Sequence, residues 1–309
     1  MPELPEVETV RRNVEQALVG ERLVSVEVRL PKLLRDSPVA DLTTLEGTRL
    51  VDARRRAKIL DLRFDSGYSL LVHFKLAGQW AIVRPDGSRL VAGHPVPDPQ
   101  GPLPHKSTHV TFTFADGTIA YFSDVRQFGW LRLMPTEAVG AALDAFGFGP
   151  EGTGELDVQS LSMAMRRRGI PVKTLLLDQS FVAGLGNIYA DEVLFRAGVH
   201  PAMPASNLGA IQRRTVIDAI PVVLAEGISQ GGAKIIHNRA FPVDRFPAVH
   251  GRAGEACFRC GASIEKSRVG GRGTYFCPRC QETPCDRGPQ EIHACGIEPD
   301  LDENAPGTV

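Results

Sequence analysis

The sequence predicts an α+β protein: an N-terminal antiparallel β-sandwich with flanking helices, a C-terminal helical domain, and a small terminal β-hairpin. Three observations predict it. Apolar and polar residues alternate through much of the first 135 residues, the period turns helical after about residue 156, and two C-x2-C pairs bracket a glycine-rich turn between 257 and 280. Half-buried strands joined by turns pack as a sandwich, and a later run of helices forms its own layer. At 309 residues the chain is too long for one ordinary domain and fits two with a small module appended.

The first element is a helix. Pro5 suits a first helical position, apolar residues recur at Val7, Val10, Val14 and Leu18, and Gly20 lies where a helix stops. Strands follow: Val24, Val26, Val28 and Leu30 alternate with Ser25, Glu27 and Arg29, and Leu60, Leu62 and Phe64 alternate with Asp61 and Arg63. Val110, Phe112 and Phe114 lead into Asp116-Gly117, a hairpin turn, and on to Ile119 and Tyr121. The stretch 92–107, rich in proline and glycine, is a loop inside this first domain, residues 1–135. Residues 136–155, with several glycines and Pro150, read as an interdomain linker. Helical segments then run through Leu161 and Met165 to Arg166, Arg167 and Arg168, through 175–177, through 187–197 and through 208–226. They make a helical domain over 156–246, followed by a cysteine module over 247–281. The segment 282–309 is an acidic tail whose composition reads as disordered.

Composition excludes several classes. The hydrophobic share is 43% and the charged share 23%, both ordinary for a globular protein. Fully apolar runs reach only about half a dozen residues, against the roughly 18 that a membrane span needs. The start, MPELPEVETV, has acids where a signal peptide needs bases and a long apolar core, so an intracellular protein is expected. The net charge of −1 hides an asymmetry: residues 281–309 hold seven acids and one base, which leaves +5 on the other 280. Bases cluster at Arg54, Arg55, Arg56 and Lys58, at 166–168, and between His250 and Cys280. A phosphate backbone responds to such patches, although any one of them could equally be a solvated face.

Cys257, Cys260, Cys277 and Cys280 form C-x2-C-x16-C-x2-C. Each pair lets a tight turn aim two thiolates at one ion, and four sulfurs satisfy tetrahedral zinc. Gly270, Gly271 and Gly273 supply the reversal of a two-stranded hairpin between the pairs. With four sulfurs on one Zn2+ no coordination position is left for chemistry, so the ion is a staple. Cys285 and Cys295 lack partner spacing and read as free thiols.

Two further segments carry chemistry. Pro2 becomes the N-terminus once Met1 is removed, and its nitrogen is then a secondary amine able to attack a sugar C1′. A terminal amine titrates near 8 and is less protonated at neutral pH than lysine. Glu3 and Glu6 flank it at the positive end of the first helix, placed for proton transfer. Their plain reading is that of ordinary helix-start acids. In VAGLGNIYADEVLFRAGVHP, residues 182–201, Gly184-Leu185-Gly186 joins two helices and leaves N–H groups free at Asn187, an anion site suited to a phosphate. Its plain reading is a tight helix–helix corner.

Taken together, MPELPEVETV, Lys58 in RRRAKIL, DVRQFG at 124–129, the Asn187 turn and the closing GRGTYFCPRCQ resemble the formamidopyrimidine-DNA glycosylase/endonuclease VIII family from Pro2 to about Gln281. The opening PELPE is similar to the formamidopyrimidine branch. The resemblance implies a helix-two-turn-helix in the helical domain and a zinc-finger hairpin after it. It also implies a monomer that acts on double-stranded DNA containing damaged bases, cytoplasmic and nucleoid-associated, with no membrane partner. The implied activity is base flipping, excision and strand cleavage by β,δ-elimination. Pro2 is then the nucleophile, Glu3 the proton donor to the ring oxygen and Glu6 the support of charge and water nearby. Lys58, Asn187 and Arg272 fall on phosphate-gripping positions, and Lys173, Tyr189 and His109 on DNA-contact positions. Arg126 and Phe128 match two of three residues that fill the gap left by flipping. Leu76, in HFKLAG, stands at the third, where the family usually has methionine.

Other departures bear on lesion choice. Gln127 replaces a frequent base, His250 a frequent tyrosine, and the 16-residue segment between Gly232 and Val249 lacks the serine-threonine start of the formamidopyrimidine branch. The expected substrates are 8-oxoguanine and formamidopyrimidines, with oxidised pyrimidines or abasic sites alone as alternatives. A non-catalytic binder of distorted DNA is the rival from another class.

Overall fold

Valines spaced three and four apart bury one stripe of α1 (Leu4–Leu18), where Val7, Val10 and Val14 are fully buried. Each such burial stabilises the fold by about 1.5–3 kcal/mol. The computed structural model describes residues 1–236 and 239–281. The acidic tail, with Cys285 and Cys295, lies outside the described residues.

After α1 come β1 (Leu23–Val28), β2 (Leu50–Arg56), β3 (Ile59–Phe64), β4 (Tyr68–His73), β5 (Gly78–Val83), β6 (Arg89–Gly93), β7 (Thr108–Phe114), β8 (Ile119–Asp124) and β9 (Trp130–Pro135). They form two antiparallel sheets, β1-β7-β8-β5-β6 and β2-β3-β4-β9. Leu60, Leu62 and Phe64 of one sheet share a core with Trp80, Phe112, Phe114 and Phe122 of the other, and the stripe of α1 closes one side. The sandwich is the one expected. Asp116-Gly117 makes its turn with Gly117 at φ 87°, and the Asp116 carboxylate accepts from Thr118 N–H.

Periodicity misplaces several side chains. Val24 is 52% exposed because the register shifts between Leu23 and Ser25, so Leu23 and Val26 face inward. In β8 the fully buried apolar residues are Ala120 and Phe122, one position off the alternation through Ile119 and Tyr121. Asp61 in β3 is buried too, because the outer face of that sheet is covered. Ile59, Leu71 and Met134 pack there against Val139 of α2 (Val139–Asp144). The expected linker is thus partly helical and packed on the sandwich.

The helical domain comprises α3 (Val158–Arg166), α4 (Val172–Leu176), α5 (Asn187–Ala197) and α6 (Ala210–Ser229). Gly198, at φ 69°, ends α5 in the left-handed conformation that favours glycine. Leu4 belongs to this domain's core, whereas Val7 belongs to the sandwich core, so the first turn of α1 bridges the two. Two short strands follow, β10 (Ile235–Ile236) and β11 (Arg239–Ala240), and then the hairpin of β12 (Glu265–Val269) and β13 (Arg272–Phe276). Gly270 and Gly271 turn that hairpin with φ of 55° and 76°, the two-residue geometry that glycine permits.

Candidate active site and DNA interface

The anion site expected at the start of α5 exists, and the chain fills it with its own carboxylate. Glu3, almost fully buried, accepts from Ile188 N–H at 2.9 Å and Tyr189 N–H at 3.3 Å. The two glycines of the preceding turn make room. A side chain at Gly186 would collide with the Glu3 carboxyl, and one at Gly184 with Leu4. The phosphate reading of that turn is therefore corrected: backbone N–H groups and the positive helix end compensate Glu3.

Glu6, one turn further on, is the third residue of α1, and its Oε2 accepts from Glu3 N–H at 2.8 Å. Its Oε1 accepts from the Tyr189 hydroxyl at 2.7 Å and Ala233 N–H at 2.8 Å. Burial raises its proton affinity, the Glu3 charge adds to that, and the Tyr189 hydrogen bond opposes it. Lys58 sits in the two-residue turn between β2 and β3, beside Ala57 at φ 51°, and donates to the Leu185 carbonyl at 2.6 Å. Burial pushes its ammonium down, Glu3 and Glu6 push it back up, and Arg272 pushes it down again.

Pro2 is buried beside these groups, while Met1 is 41% exposed, so loss of Met1 uncovers the proline nitrogen without opening a core. Pro2, Glu3, Glu6, Leu76, Arg126, Asn187, His250 and Arg272 line one open cleft of about 680 Å³. Leu76 and Phe128 stand out as large apolar side chains at 39% and 54% exposure, and Arg126 stacks over Phe128 at 5.4 Å. The loop that carries Arg126 and Phe128 is stiff. The buried Asp124 carboxylate accepts from Arg126, Phe128 and Gly129 N–H at 2.7–2.9 Å. Sequence reasoning passed over Asp124, although an acid opening a turn is the ordinary signal for such capping.

Three expected DNA contacts are corrected. The Lys173 side chain is fully buried: its ammonium pairs with Asp191 at 2.7 Å and donates to Gly273 O and Thr274 Oγ1. Tyr189 is also fully buried, with its hydroxyl on Glu6. His109 is buried with Nε2 against the Asp124 carbonyl, supporting the wedge loop from behind. A desolvated charge needs a partner, and inside the protein Asp191 supplies it. Asp191 also receives His250 Nδ1 at 2.7 Å and Tyr275 N–H at 3.1 Å. Glu192 accepts N–H bonds from Ala248, Val249 and His250. These two acids, unremarked in the sequence, seat the cysteine module on α5. Asn187 donates to Gly273 O at 2.9 Å and steadies the strand that carries the exposed Arg272.

The basic cluster at 54–56 is largely spent on structure. Arg55 pairs with Glu8 and Glu151, Arg56 with Glu151, and Arg54 with Asp52, which ties the linker to the sandwich. The run at 166–168 is exposed.

The four cysteine sulfurs lie within 4.8 Å of one another, with Cys260–Cys277 at 3.4 Å and Cys257–Cys280 at 4.0 Å. Four sulfurs each about 2.3 Å from a tetrahedral ion lie about 3.8 Å apart, so the set fits zinc. The protein carries one structural Zn2+ there, which holds the hairpin that bears Arg272.

A chain terminus buried among proton-handling groups, opening on a cleft rimmed by exposed apolar wedges, defines a helix-two-turn-helix DNA glycosylase. Residues 1–131 match the formamidopyrimidine-DNA glycosylase N-terminal domain, 148–238 its H2TH domain, and 254–283 the zinc finger found in FPG and IleRS. The chain belongs to the formamidopyrimidine-DNA glycosylase family. It is 39% identical to the formamidopyrimidine-DNA glycosylase of Pelotomaculum thermopropionicum over 91% of this chain and 99% of that one. It is 38% identical, with the same coverage, to that of Streptococcus pneumoniae R6. Among solved structures, the Lactococcus lactis Fpg bound to abasic-site DNA has a TM-score of 0.79 at 34% identity, over 91% of this chain and all of that one. MutM bound to carbocyclic 8-oxo-G DNA has a TM-score of 0.78 at 35% identity with the same coverage. No described helix is long and apolar enough to cross a membrane.

Proposed function

We propose that this chain is a bifunctional DNA glycosylase and abasic-site lyase whose leading substrates are 8-oxoguanine and formamidopyrimidines in duplex DNA. The observation that carries the reading is the placement of Pro2 beside Glu3, Glu6 and Lys58 at the head of α1, open to the cleft. The freed Pro2 nitrogen attacks C1′ of the flipped nucleotide, and the base leaves with the bonding electron pair and takes a proton from water in the cleft. The amine proton passes through Glu3 to the ring oxygen, which opens the sugar as an iminium of Pro2. Loss of a C2′ proton expels the 3′-phosphate, a second elimination expels the 5′-phosphate, and water returns the proline. Lys58, Arg272 and the remaining N–H of Asn187 grip phosphates beside the lesion, which positions the strand without reading it. Leu76, Arg126 and Phe128 fill the vacated stack and offset the few kcal/mol that flipping costs.

Complexes of Lactococcus lactis Fpg with Fapy-dG DNA, and of MutM with carbocyclic 8-oxo-G DNA, support the substrate class. The short segment 233–248 favours a second reading, in which oxidised pyrimidines or abasic sites are preferred. Excision of each lesion from matched duplexes decides between them, and cleavage confined to abasic DNA would remove the glycosylase half. Borohydride trapping tests the chemistry: a covalent adduct forms with the native chain and maps to the Pro2 nitrogen, whereas a mere binder of distorted DNA traps nothing. We place the working enzyme on the nucleoid as a monomer, with affinity that weakens steeply with salt.

A further inference from the structure

Glu6 is surrounded almost wholly by donors. Glu3 N–H faces Oε2, while Ala233 N–H and the Tyr189 hydroxyl face Oε1. That arrangement suits a carboxylate. A protonated Glu6 must itself donate, and a backbone N–H cannot accept. Among the described residues the only group touching Glu6 that can do both is the Tyr189 oxygen. Ala233 N–H lies 3.1 Å from that same oxygen. We infer that Tyr189 is a positioning residue whose hydrogen bond to Glu6 reverses with the charge of Glu6, giving to the carboxylate and receiving from the acid. Ala233 N–H then keeps an acceptor in both states.

The surroundings leave no substitute. Tyr189 is fully buried and Glu6 nearly so. Gly227 and Gly232 press against the pair: an added Cβ at Gly227 would collide with the Tyr189 ring, and one at Gly232 would stand 2.7 Å from Glu6 Cγ. The charged groups facing Glu6 are Glu3 from its own helix and Lys58 from the β2–β3 turn. The amine of Pro2 joins them in the cleft, and Lys234, next to Ala233, is exposed. Ala233 opens the divergent segment 233–248, which reaches the cleft at Ala233 and Ile235. Tyr189 therefore lets Glu6 take up and release a proton during the reaction while this segment stays seated.

This inference rests on the proposed glycosylase activity, and its test separates the two. Tyr189→Phe takes one donor from the carboxylate, removes the only protein acceptor for the acid, and leaves Ala233 N–H with Glu6 Oε1 alone. Because the hydroxyl serves both charge states, the limb of the excision pH profile governed by Glu6 should move by less than about half a unit. A hydroxyl that merely donates to the carboxylate predicts a rise of about one unit, and that result overturns the inference. Glu6→Gln gives a readout independent of activity, because its amide must also donate toward Tyr189. Its melting temperature should stay within about 4 °C of the native chain, and Glu6→Gln with Tyr189→Phe should fall further than the two singles added. A steep loss in Glu6→Gln alone, or strict additivity, would refute the exchange even in a protein that excised nothing.

Discussion

The head of α1 and the wedge rim line the same cleft and are built on opposite terms. At the head, Glu3, Glu6 and Lys58 are buried and each is bonded to a group more than 120 residues away in the chain. At the rim, Leu76, Arg126 and Phe128 are exposed, and Arg126 and Phe128 are ordered by backbone bonds to Asp124 only a few residues off. Chemistry on a sugar needs groups held to fractions of an ångström, so under the proposed mechanism the head carries fold stability and function in the same atoms. Filling a stack needs only an apolar surface that arrives in the right place, so the rim can change without disturbing the fold.

That contrast is open to direct attack. The largest effect should come from the zinc module, which belongs with the head because Lys173, Asn187 and Asp191 bond to β13. Chelation of zinc, or Cys277→Ser, should cut DNA cleavage by about 100-fold or more while the sandwich keeps its strand signal in circular dichroism. Gly186→Ala comes next. Its methyl group would strike the Glu3 carboxyl, so a loss of about 1–3 kcal/mol in urea unfolding should accompany a drop of about 100-fold in base excision. Unchanged excision in that variant would mean that Glu3 need not sit against α5.

Leu76→Ala and Phe128→Ala should do the reverse. Unfolding should move by less than about 0.5 kcal/mol, while excision of a paired lesion falls about tenfold and trapping on abasic DNA falls less. Equal losses on both substrates would show that the rim acts in chemistry. The smallest effect concerns His73, at the border of the two regions. Burial first, and then Lys75, Lys58 and Arg132, press its pKa from 6.5 down to about 3. Between those values the unfolded chain binds a proton that the native chain refuses, so stability rises with pH through that window and declines on acidification. His73→Asn keeps an acceptor for Lys75 N–H, now made by Nδ1 at 2.9 Å, and should flatten the slope by up to about 1.4 kcal/mol per pH unit.

The uneven legibility of the molecule follows the same division. The stripe of α1, the hairpin at Gly270-Gly271 and the cysteine spacing are statements about neighbours in sequence, and the structure bears them out. Pro2, Glu3, Glu6, Leu76, Arg126 and Arg272 do meet in one cleft. Val24 went astray because a bulge breaks the period of two, which no count of alternation reveals. Lys173 and Tyr189 went astray because a motif position says nothing about depth.

From its sequence alone this protein determines its two-layered start and helical second half, its zinc ligands and the presence of Pro2 beside two carboxyls. All of these depend on local spacing or on residue chemistry. The tertiary structure decided that Glu3 rather than phosphate caps α5, that Lys173 belongs to Asp191, and that Glu6 answers to Tyr189. A charge removed from water must find a partner wherever the fold brings one near, and that choice lies between residues that the chain keeps far apart.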